Sequence, residues 1–324
     1  MSENAKKVTA FAPISIGNVS VGFDSLGLAV TPINGDLIGD IVSVCNSDEN
    51  TLIVAGTHHD RLPDDPQDNI VWDCMQAFNE HLSNKEIDVV SVAMELKKNI
   101  PVSSGLGSSA CSVVASFYAL NEFYNRPFNE AELLQLMAEQ EGKISGSIHY
   151  DNIAPCYLGG MQLMVPSDNG NDNSETPCLT VPTFDQCYWV MAYPDIEVST
   201  KAAREILPAA YDRPTTVKFG QQLATFIAAS YENNLPLAMN VLNDVIAEPY
   251  RESLLPGFLE SRQALMTMGC LGVGISGSGP TLFCITDSLE LAEQAHDYLV
   301  ANYIKNEGGF VSICQADTAG TRLI

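Results

Sequence analysis

A glycine- and serine-rich run is the part of the sequence best suited to bind an anion. Pro101–Ala110 reads P-V-S-S-G-L-G-S-S-A, follows a predicted strand at Val89–Leu96 and leads into a helix predicted from Ser109. Two glycines let the main chain turn tightly and approach a ligand, while the serines add hydroxyl donors. A helix start contributes unpaired N–H groups and the positive end of the helix dipole. The segment is therefore typical of a phosphate site.

The spacing of this run differs from two common nucleotide motifs. The sequence contains no G-x-x-x-x-G-K-[ST], and the loop is not a G-x-G-x-x-G fingerprint, which disfavours a dinucleotide-dependent enzyme. For a generic loop of this composition, an ordinary strand-to-helix turn would be the alternative. Two further glycine-rich segments accompany it: Gly274–Pro280 reads G-I-S-G-S-G-P, and Asn18–Gly27 reads N-V-S-V-G-F-D-S-L-G.

Together, and in this order, the three segments resemble the motifs of the GHMP small-molecule kinases, which include galactokinase, mevalonate kinase and homoserine kinase. Gly146–Gly160 contains H-Y-D-N-I-A-P and resembles the homoserine kinase version of the central region. Ser199–Arg204 (S-T-K-A-A-R) and Glu248–Arg251 (E-P-Y-R) resemble the same branch. The resemblance extends from about Val8 to Leu323. It implies phosphorylation of L-homoserine to O-phospho-L-homoserine in threonine biosynthesis, with ATP as co-substrate and Mg²⁺ as cofactor.

The resemblance also implies which residues bind ATP and the metal. Ser108 and Glu141 match the family's magnesium ligands, although Glu141 alone would read as a solvated glutamate near a helix end. Asn69 in D-N-I-V matches the contact on the adenine side. The expected ATP-binding residues are Asn69, Pro101, Val102, Ser103, Ser104, Gly105, Leu106, Gly107, Ser108, Ser109, Ala110 and Cys111.

An acceptor with an ammonium, a carboxylate and a hydroxyl needs complementary charges in its site. Carboxylates suit the ammonium, and arginine suits bidentate capture of a carboxylate. Only seven arginines occur in the chain, and two of them, Arg204 and Arg251, lie in matching motifs. The resemblance implies substrate binding by Asn18, Asp24, His149, Asp151, Asn152, Thr200, Arg204, Arg251 and Gly277. Without the motifs these would read as surface arginines, turn or capping aspartates and a core histidine.

We expect no single dedicated catalytic base in this protein. Asn152 is expected near the reacting hydroxyl, and Asp24 or Asp151 could accept its proton. Each aspartate is better matched to the ammonium, so we expect positioning and charge neutralisation to carry the phosphoryl transfer. Two alternatives stay open: a sister GHMP kinase that acts on mevalonate or a sugar, and a non-catalytic sensor on the same fold.

The elements that would position these residues mix strands and helices in both halves, which predicts an α+β fold. By resemblance, residues 1–165 form the N-terminal ATP-binding domain. Residues 166–324 form a ferredoxin-like C-terminal domain whose last strand could return to the first. Ser167–Glu175 predicts an exposed loop near the junction.

Capping boxes are predicted at Asn129 with Glu132 and at Asp287 with Glu290. Further predicted strands are Val8–Ile14, Asp40–Val44, Tyr188–Tyr193, Thr281–Thr286 and Phe310–Asp317; further predicted helices are Val217–Tyr231, Pro236–Ile246, Gly257–Thr267 and Leu289–Tyr303.

Composition limits the other function classes. The net charge of −24, from 40 acidic and 16 basic residues, disfavours nucleic acid as a partner. No run of 18 apolar residues predicts a membrane span, and the polar start of the chain predicts a cytoplasmic protein. The nine cysteines include no C-x-x-C pair, which disfavours a zinc site or a disulfide framework. A homodimer is possible by analogy with relatives.

Overall fold

The structure, a computed structural model, describes residues 6–145, 148–166 and 177–324. The loop predicted at Ser167–Glu175 lies outside this range, as do Gly146 and Ser147 of the central motif. Both halves combine strands and helices, so the α+β prediction is confirmed.

A five-stranded sheet forms one side of the N-terminal half. Its strand order is β13-β1-β4-β6-β5, and only the β5–β6 pair is parallel. Because β13 pairs with β1, the end of the chain completes the sheet that its start begins. The bounds are β1 Lys7–Pro13, β4 Gly39–Asn46, β5 Thr51–Ala55, β6 Val92–Lys97 and β13 Arg322–Leu323.

A larger sheet of eight strands runs from the C-terminal half into the N-terminal half. Its order is β10-β11-β9-β12-β3-β7-β8, with β2 paired to β3. Strand β12 joins the halves, since it pairs with β9 on one side and β3 on the other. The domain boundary near residue 165 stays a prediction. The bounds are β2 Ser15–Gly17, β3 Leu26–Pro32, β7 Met161–Met164, β8 Cys178–Val181, β9 Tyr188–Tyr193, β10 Gly272–Ile275, β11 Leu282–Thr286 and β12 Phe310–Ala316.

The helices cover the sheets and include one that is buried on all sides. Helix α2 packs against β1, β4 and three neighbouring helices, because small and apolar residues occupy its whole circumference. None of the helices in the described ranges is long and apolar enough to cross a membrane. The bounds are α1 Ile70–Asn84, α2 Ser108–Phe123, α3 Glu130–Ser145, α4 Ile153–Leu158, α5 Thr200–Glu205, α6 Arg213–Tyr231, α7 Leu235–Val241, α8 Glu248–Arg251, α9 Phe258–Met268 and α10 Leu289–Asn302.

The C-terminal half has ferredoxin-like connectivity. Strands β9 and β10 are separated by helices, β10 and β11 form an antiparallel pair, and α10 connects β11 to β12. Their order in the sheet, β10-β11-β9-β12, is that of a split β-α-β unit repeated once. Apolar residues on one face of its strands, such as Val190 and Leu282, form a core cluster separate from the main one. Residues on the other face, such as Trp189 and Phe283, belong to the main cluster.

Local signals in the sequence predicted some boundaries well and others wrongly. The capping box at the start of α3 is confirmed: the Asn129 N–H donates to Glu132 Oε2 at 2.8 Å, and the Glu132 N–H to Asn129 Oδ1 at 3.0 Å. The capping box assigned to Asp287 is wrong. Ser288, one residue later, has the extended conformation of an N-cap, and its hydroxyl accepts the Leu291 N–H. Helix α1 was not predicted.

Candidate active site

The predicted phosphate loop, Pro101–Ala110, follows β6 and includes the start of α2. Gly107 lies just before the helix with φ +67°, and Gly105 has φ +77°. Both values are in the left-handed region that favours glycine. No side chain caps α2, so the first N–H groups of the helix are available as hydrogen-bond donors to an anion.

Contacts between loops bring the three glycine-rich segments together. The Ser276 hydroxyl donates to the Gly105 carbonyl at 2.7 Å, and the Thr281 hydroxyl donates to the Ser104 carbonyl at 2.7 Å. Asn18 Nδ2 donates to the Gly277 carbonyl at 3.2 Å. A Cβ on Gly105 would lie 2.5 Å from the Ser276 carbonyl oxygen, so only glycine permits this approach.

The loops surround a cavity of about 480 Å³ that contains most of the predicted site residues. From the predicted nucleotide and metal set, the lining includes Val102, Ser103, Ser104, Gly105, Gly107, Ser108, Ser109, Ala110 and Glu141. From the predicted acceptor set, it includes Asn18, Asp24, His149, Asp151, Asn152, Thr200, Arg204, Arg251 and Gly277.

Four predicted nucleotide-binding residues do not line this cavity. Leu106 is fully buried, and Cys111 is directed to the core, where its thiol contacts the Pro13 carbonyl at 3.3 Å. Pro101 is buried. Asn69 caps α1, since its Oδ1 accepts the Val71 N–H at 2.9 Å. Its Nδ2 is buried without a hydrogen-bond partner in the described parts of the chain.

The acceptor end of the cavity contains a group of acids and an arginine. Both Nη atoms of Arg204 bind the carboxylate of Asp24, at 2.9 and 3.1 Å, and His149 Nδ1 lies 3.8 Å from Asp24 Oδ1. Asp151 is only 6% exposed, and Asn152 Nδ2 donates to its Oδ2 at 3.4 Å. Burial, reinforced by the charge of Asp24 and opposed by that of Arg204, raises the pKa of Asp151 to about 7.

A second arginine lies beside the first and is held by main-chain carbonyls. Arg251 Nε donates to the Ala203 carbonyl at 3.0 Å, and its Nη1 donates to the Gly277 carbonyl at 2.9 Å. Both guanidinium groups lie near the ring of Phe23, at 5.5 Å for Arg251 and 6.0 Å for Arg204. An aromatic face attracts cations, so Phe23 helps to keep two like charges close together.

Glu141 offers an oxygen ligand at the phosphate end. Its Oε2 accepts the hydroxyl of Ser109 at 2.7 Å, whereas the hydroxyl of Ser108 donates to the Ile100 carbonyl at 3.1 Å. Burial raises the pKa of Glu141 to about 7. A carboxylate beside hydroxyl oxygens is a donor set that suits Mg²⁺, and a bound cation would offset the cost of burying the charge. Ser108 as a ligand stays a prediction.

Sequence reasoning missed several residues that line the cavity. Leu62, Pro63 and Ile70 add apolar surface, and the remaining ones are Lys98, Ser112, Ser199, Lys201 and Ser278. The only sequence signal that could have identified Lys98 is its position, just before the phosphate loop. Nothing local distinguished the apolar residues from ordinary core or turn positions.

Comparison with known proteins decides the family. Residues 69–160 match the model of the GHMP kinases N terminal domain, and residues 226–305 match that of the GHMP kinases C terminal domain. The chain belongs to the GHMP kinase family. Members of this family are phosphotransferases that use ATP. Nucleotide binding by Pro101–Ala110 stays a prediction.

Solved structures agree with this assignment over the whole chain. A homoserine kinase from Cytophaga hutchinsonii is 31% identical, with a TM-score of 0.85, covering 100% of this chain and 99% of its own. The L. major mevalonate kinase, in complex with R-mevalonate, is 17% identical with a TM-score of 0.68, covering 98% and 100%. The phosphomevalonate kinase of Streptococcus pneumoniae is 13% identical with a TM-score of 0.70, covering 96% and 99%. The last two likenesses establish the two-domain GHMP kinase fold alone.

Proposed function

We propose that this GHMP kinase transfers the terminal phosphoryl group of ATP to the side-chain hydroxyl of L-homoserine, forming O-phospho-L-homoserine for threonine biosynthesis. One observation carries the proposal: two carboxylates and two guanidinium groups line the same cavity as the phosphate loop. This arrangement matches the opposite charges of an amino acid whose hydroxyl must reach a phosphate. The likeness to the Cytophaga hutchinsonii enzyme supports the same acceptor.

The acidic and basic groups divide the recognition of the zwitterion between them. Asp24 and Asp151 bind the ammonium, while Arg204 and Arg251 bind the carboxylate. A hydrophobic acceptor, or one without an ammonium, would leave the buried Asp151 carboxylate without a cation bound to it, which is costly. This is the reason to favour an amino acid over mevalonate or a sugar.

Asn152 orients the reacting hydroxyl. The Ser15 hydroxyl donates to Asn152 Oδ1 at 3.0 Å, and Asn152 Nδ2 contacts Asp151, so both ends of the amide are held. Gly17 permits this packing, because a Cβ there would lie 2.8 Å from both Asn152 Nδ2 and Asp151 Oδ2. With Asp151 occupied by the ammonium, the reaction proceeds without a dedicated protein base.

The nucleotide occupies the other end of the cavity. The main-chain N–H groups of the loop and of the start of α2 bind the phosphates, and Leu62, Pro63 and Ile70 supply apolar surface for the base. Glu141 with Ser108 or Ser109 would hold Mg²⁺, which would supply positive charge against the phosphates. The protein thus contributes position and charge complementarity.

A coupled assay of ADP release tests the acceptor. We expect turnover with Mg²⁺, ATP and L-homoserine, and rates at least about 100-fold lower with L-serine, L-threonine, mevalonate and galactose. Arg251→Met should raise the KM for homoserine, with Arg213→Met, an exposed arginine at the start of α6, as the matched control. Preference for mevalonate or galactose would refute the proposal. Tight binding of ATP and homoserine without turnover would indicate a sensor instead.

A further inference from the structure

A buried lysine joins the two ends of the phosphate loop. Lys98 follows β6 and is only 2% exposed, yet its ammonium makes three polar contacts. Nζ lies 2.5 Å from Asp40 Oδ2, 2.7 Å from the Ser108 carbonyl oxygen and 3.0 Å from Ser112 Oγ. Because Ser108 begins α2, the Lys98 side chain ties the end of β6 to the start of the helix on the other side of the glycine-rich turn.

Asp40 holds the same region from the opposite side. It is fully buried at the start of β4, and its Oδ1 accepts the N–H groups of Asn99 at 2.9 Å and Ile100 at 3.2 Å. Its Oδ2 accepts Lys98 and the hydroxyl of Ser112 at 2.6 Å. The carboxylate therefore has a full set of partners, as a buried charge requires.

These contacts fix the main chain on both sides of the loop. Asp40 sets the entry through two N–H groups, and Lys98 sets the exit through the Ser108 carbonyl. The hydroxyl of Ser108 joins the two sides by donating to the Ile100 carbonyl at 3.1 Å. Main-chain N–H groups bind a phosphate well only when their directions converge. The contacts of Asp40, Lys98 and Ser108 therefore govern how the loop orients its N–H donors.

The lysine also contributes charge to the cavity wall. Lys98 lines the cavity, whereas Asp40 does not, so the positive member of the pair faces the site. Three other cations line the cavity in the described residues. Arg204 and Arg251 are engaged at the acceptor end, and Lys201 is 84% exposed. Lys98 is thus the buried cation nearest in sequence to the phosphate loop.

We propose that Lys98 and Asp40 are positioning residues that hold the phosphate loop in its nucleotide-binding shape. The inference rests on nucleotide binding by the loop and is independent of which acceptor is phosphorylated. It predicts a specific defect: loss of the pair weakens binding of ATP and ADP and leaves binding of the acceptor nearly unchanged.

A neutral double variant separates this role from simple stability. Breaking a buried pair on one side leaves an uncompensated charge, whereas replacing both partners with neutral groups of similar size is often well tolerated. In Lys98→Met/Asp40→Asn, the asparagine Oδ1 still accepts the Asn99 and Ile100 N–H groups. Lys97→Met, at the exposed end of β6, is the matched control.

Binding of Mg·ADP by calorimetry and steady-state KM values provide the test. We expect the double variant to unfold within a few degrees of the unchanged protein and to bind ADP at least 30-fold more weakly. Its KM for the acceptor should change less than threefold, and Lys97→Met should behave as the unchanged protein. A folded double variant with unchanged ADP affinity would overturn the proposal, whatever the acceptor proves to be.

A second variant covers the case in which the double variant does not fold. Ser112→Ala removes one contact to Lys98 and one to Asp40 without a change in charge. We expect its ADP affinity to fall about three- to tenfold with an unchanged acceptor KM. In that case unchanged ADP affinity in Ser112→Ala would overturn the proposal.

Discussion

Both Nη nitrogens of Arg204 donate to the two carboxylate oxygens of Asp24, although 180 residues separate the pair in the chain. In the proposed function, one binds the substrate's carboxylate and the other its ammonium. The two charges of the substrate therefore compete with one existing ion pair. A zwitterion offers a new partner to each member, while a ligand with a single charge leaves one member unpaired.

This relationship predicts strong discrimination against ligands with one charge. We expect 4-hydroxybutanoate and 3-amino-1-propanol to have kcat/KM values about 100-fold or more below that of homoserine, because an unpaired, partly buried charge is costly. Arg204→Lys should weaken homoserine binding despite the retained charge, since an ammonium cannot bind a carboxylate bidentately. Equal kcat/KM for homoserine and either analogue would contradict the prediction.

Replacement of Asp151 should act mainly on substrate binding. Asp151→Ala removes a carboxylate assigned to the ammonium, so we expect the homoserine KM to rise about 10- to 100-fold while kcat changes only a few-fold. Asp151→Asn, of the same shape, should behave alike because the charge is what matters. A loss confined to kcat, with KM unchanged, would assign Asp151 to the chemical step instead.

The raised pKa of Asp151 predicts a pH dependence near neutrality. Its pKa lies at about 7 rather than at the ordinary 3.8, so the carboxyl group becomes neutral as the pH falls below 7 and attracts the ammonium less. At saturating Mg·ATP, we expect kcat/KM for homoserine to fall up to about tenfold per pH unit below this point. Asp151→Asn should lose this limb. A kcat/KM for homoserine that stays constant between pH 8 and 6 in the unchanged enzyme would rule out this role for Asp151.

The same group predicts a change in stability with the opposite sign. Since the folded-state pKa exceeds the unfolded value, the folded protein binds the proton more tightly between about pH 4 and 7. The contribution of Asp151 to the free energy of unfolding therefore falls as the pH rises, by at most about 1.4 kcal/mol per pH unit. By urea denaturation, Asp151→Asn should be more stable than the unchanged protein at pH 8, and the difference should shrink by pH 5. An equal difference in the free energy of unfolding at pH 8 and pH 5 would contradict the raised pKa of Asp151.

Glu141 should determine the response to magnesium. Its carboxylate contacts the Ser109 hydroxyl at the phosphate end of the cavity, so Glu141→Ala should raise the Mg²⁺ concentration for half-maximal activity at least about tenfold. Glu139→Ala, two residues earlier on the same helix, is the matched control. An unchanged magnesium titration would remove Glu141 from the metal site.

The sequence alone determined the features that depend on neighbouring residues. The glycine spacing of Pro101–Ala110 predicted a tight loop at a helix start, because positive φ angles are a local requirement. The capping box at Asn129 and the strand Tyr188–Tyr193 were likewise readable from short segments. The glycine-rich motifs and their order indicated the GHMP kinase family, which the family matches confirmed.

Only the tertiary structure decided which side chains meet. Lys98 and Asp40 are 58 residues apart, and nothing near either one indicates a buried charge pair under the loop. Packing alone directs the Cys111 thiol to the core, and it makes Asn69 the cap of a helix that the sequence pattern did not reveal. Side-chain direction and burial depend on elements distant in sequence, because sheet pairing brings them together only in the folded chain.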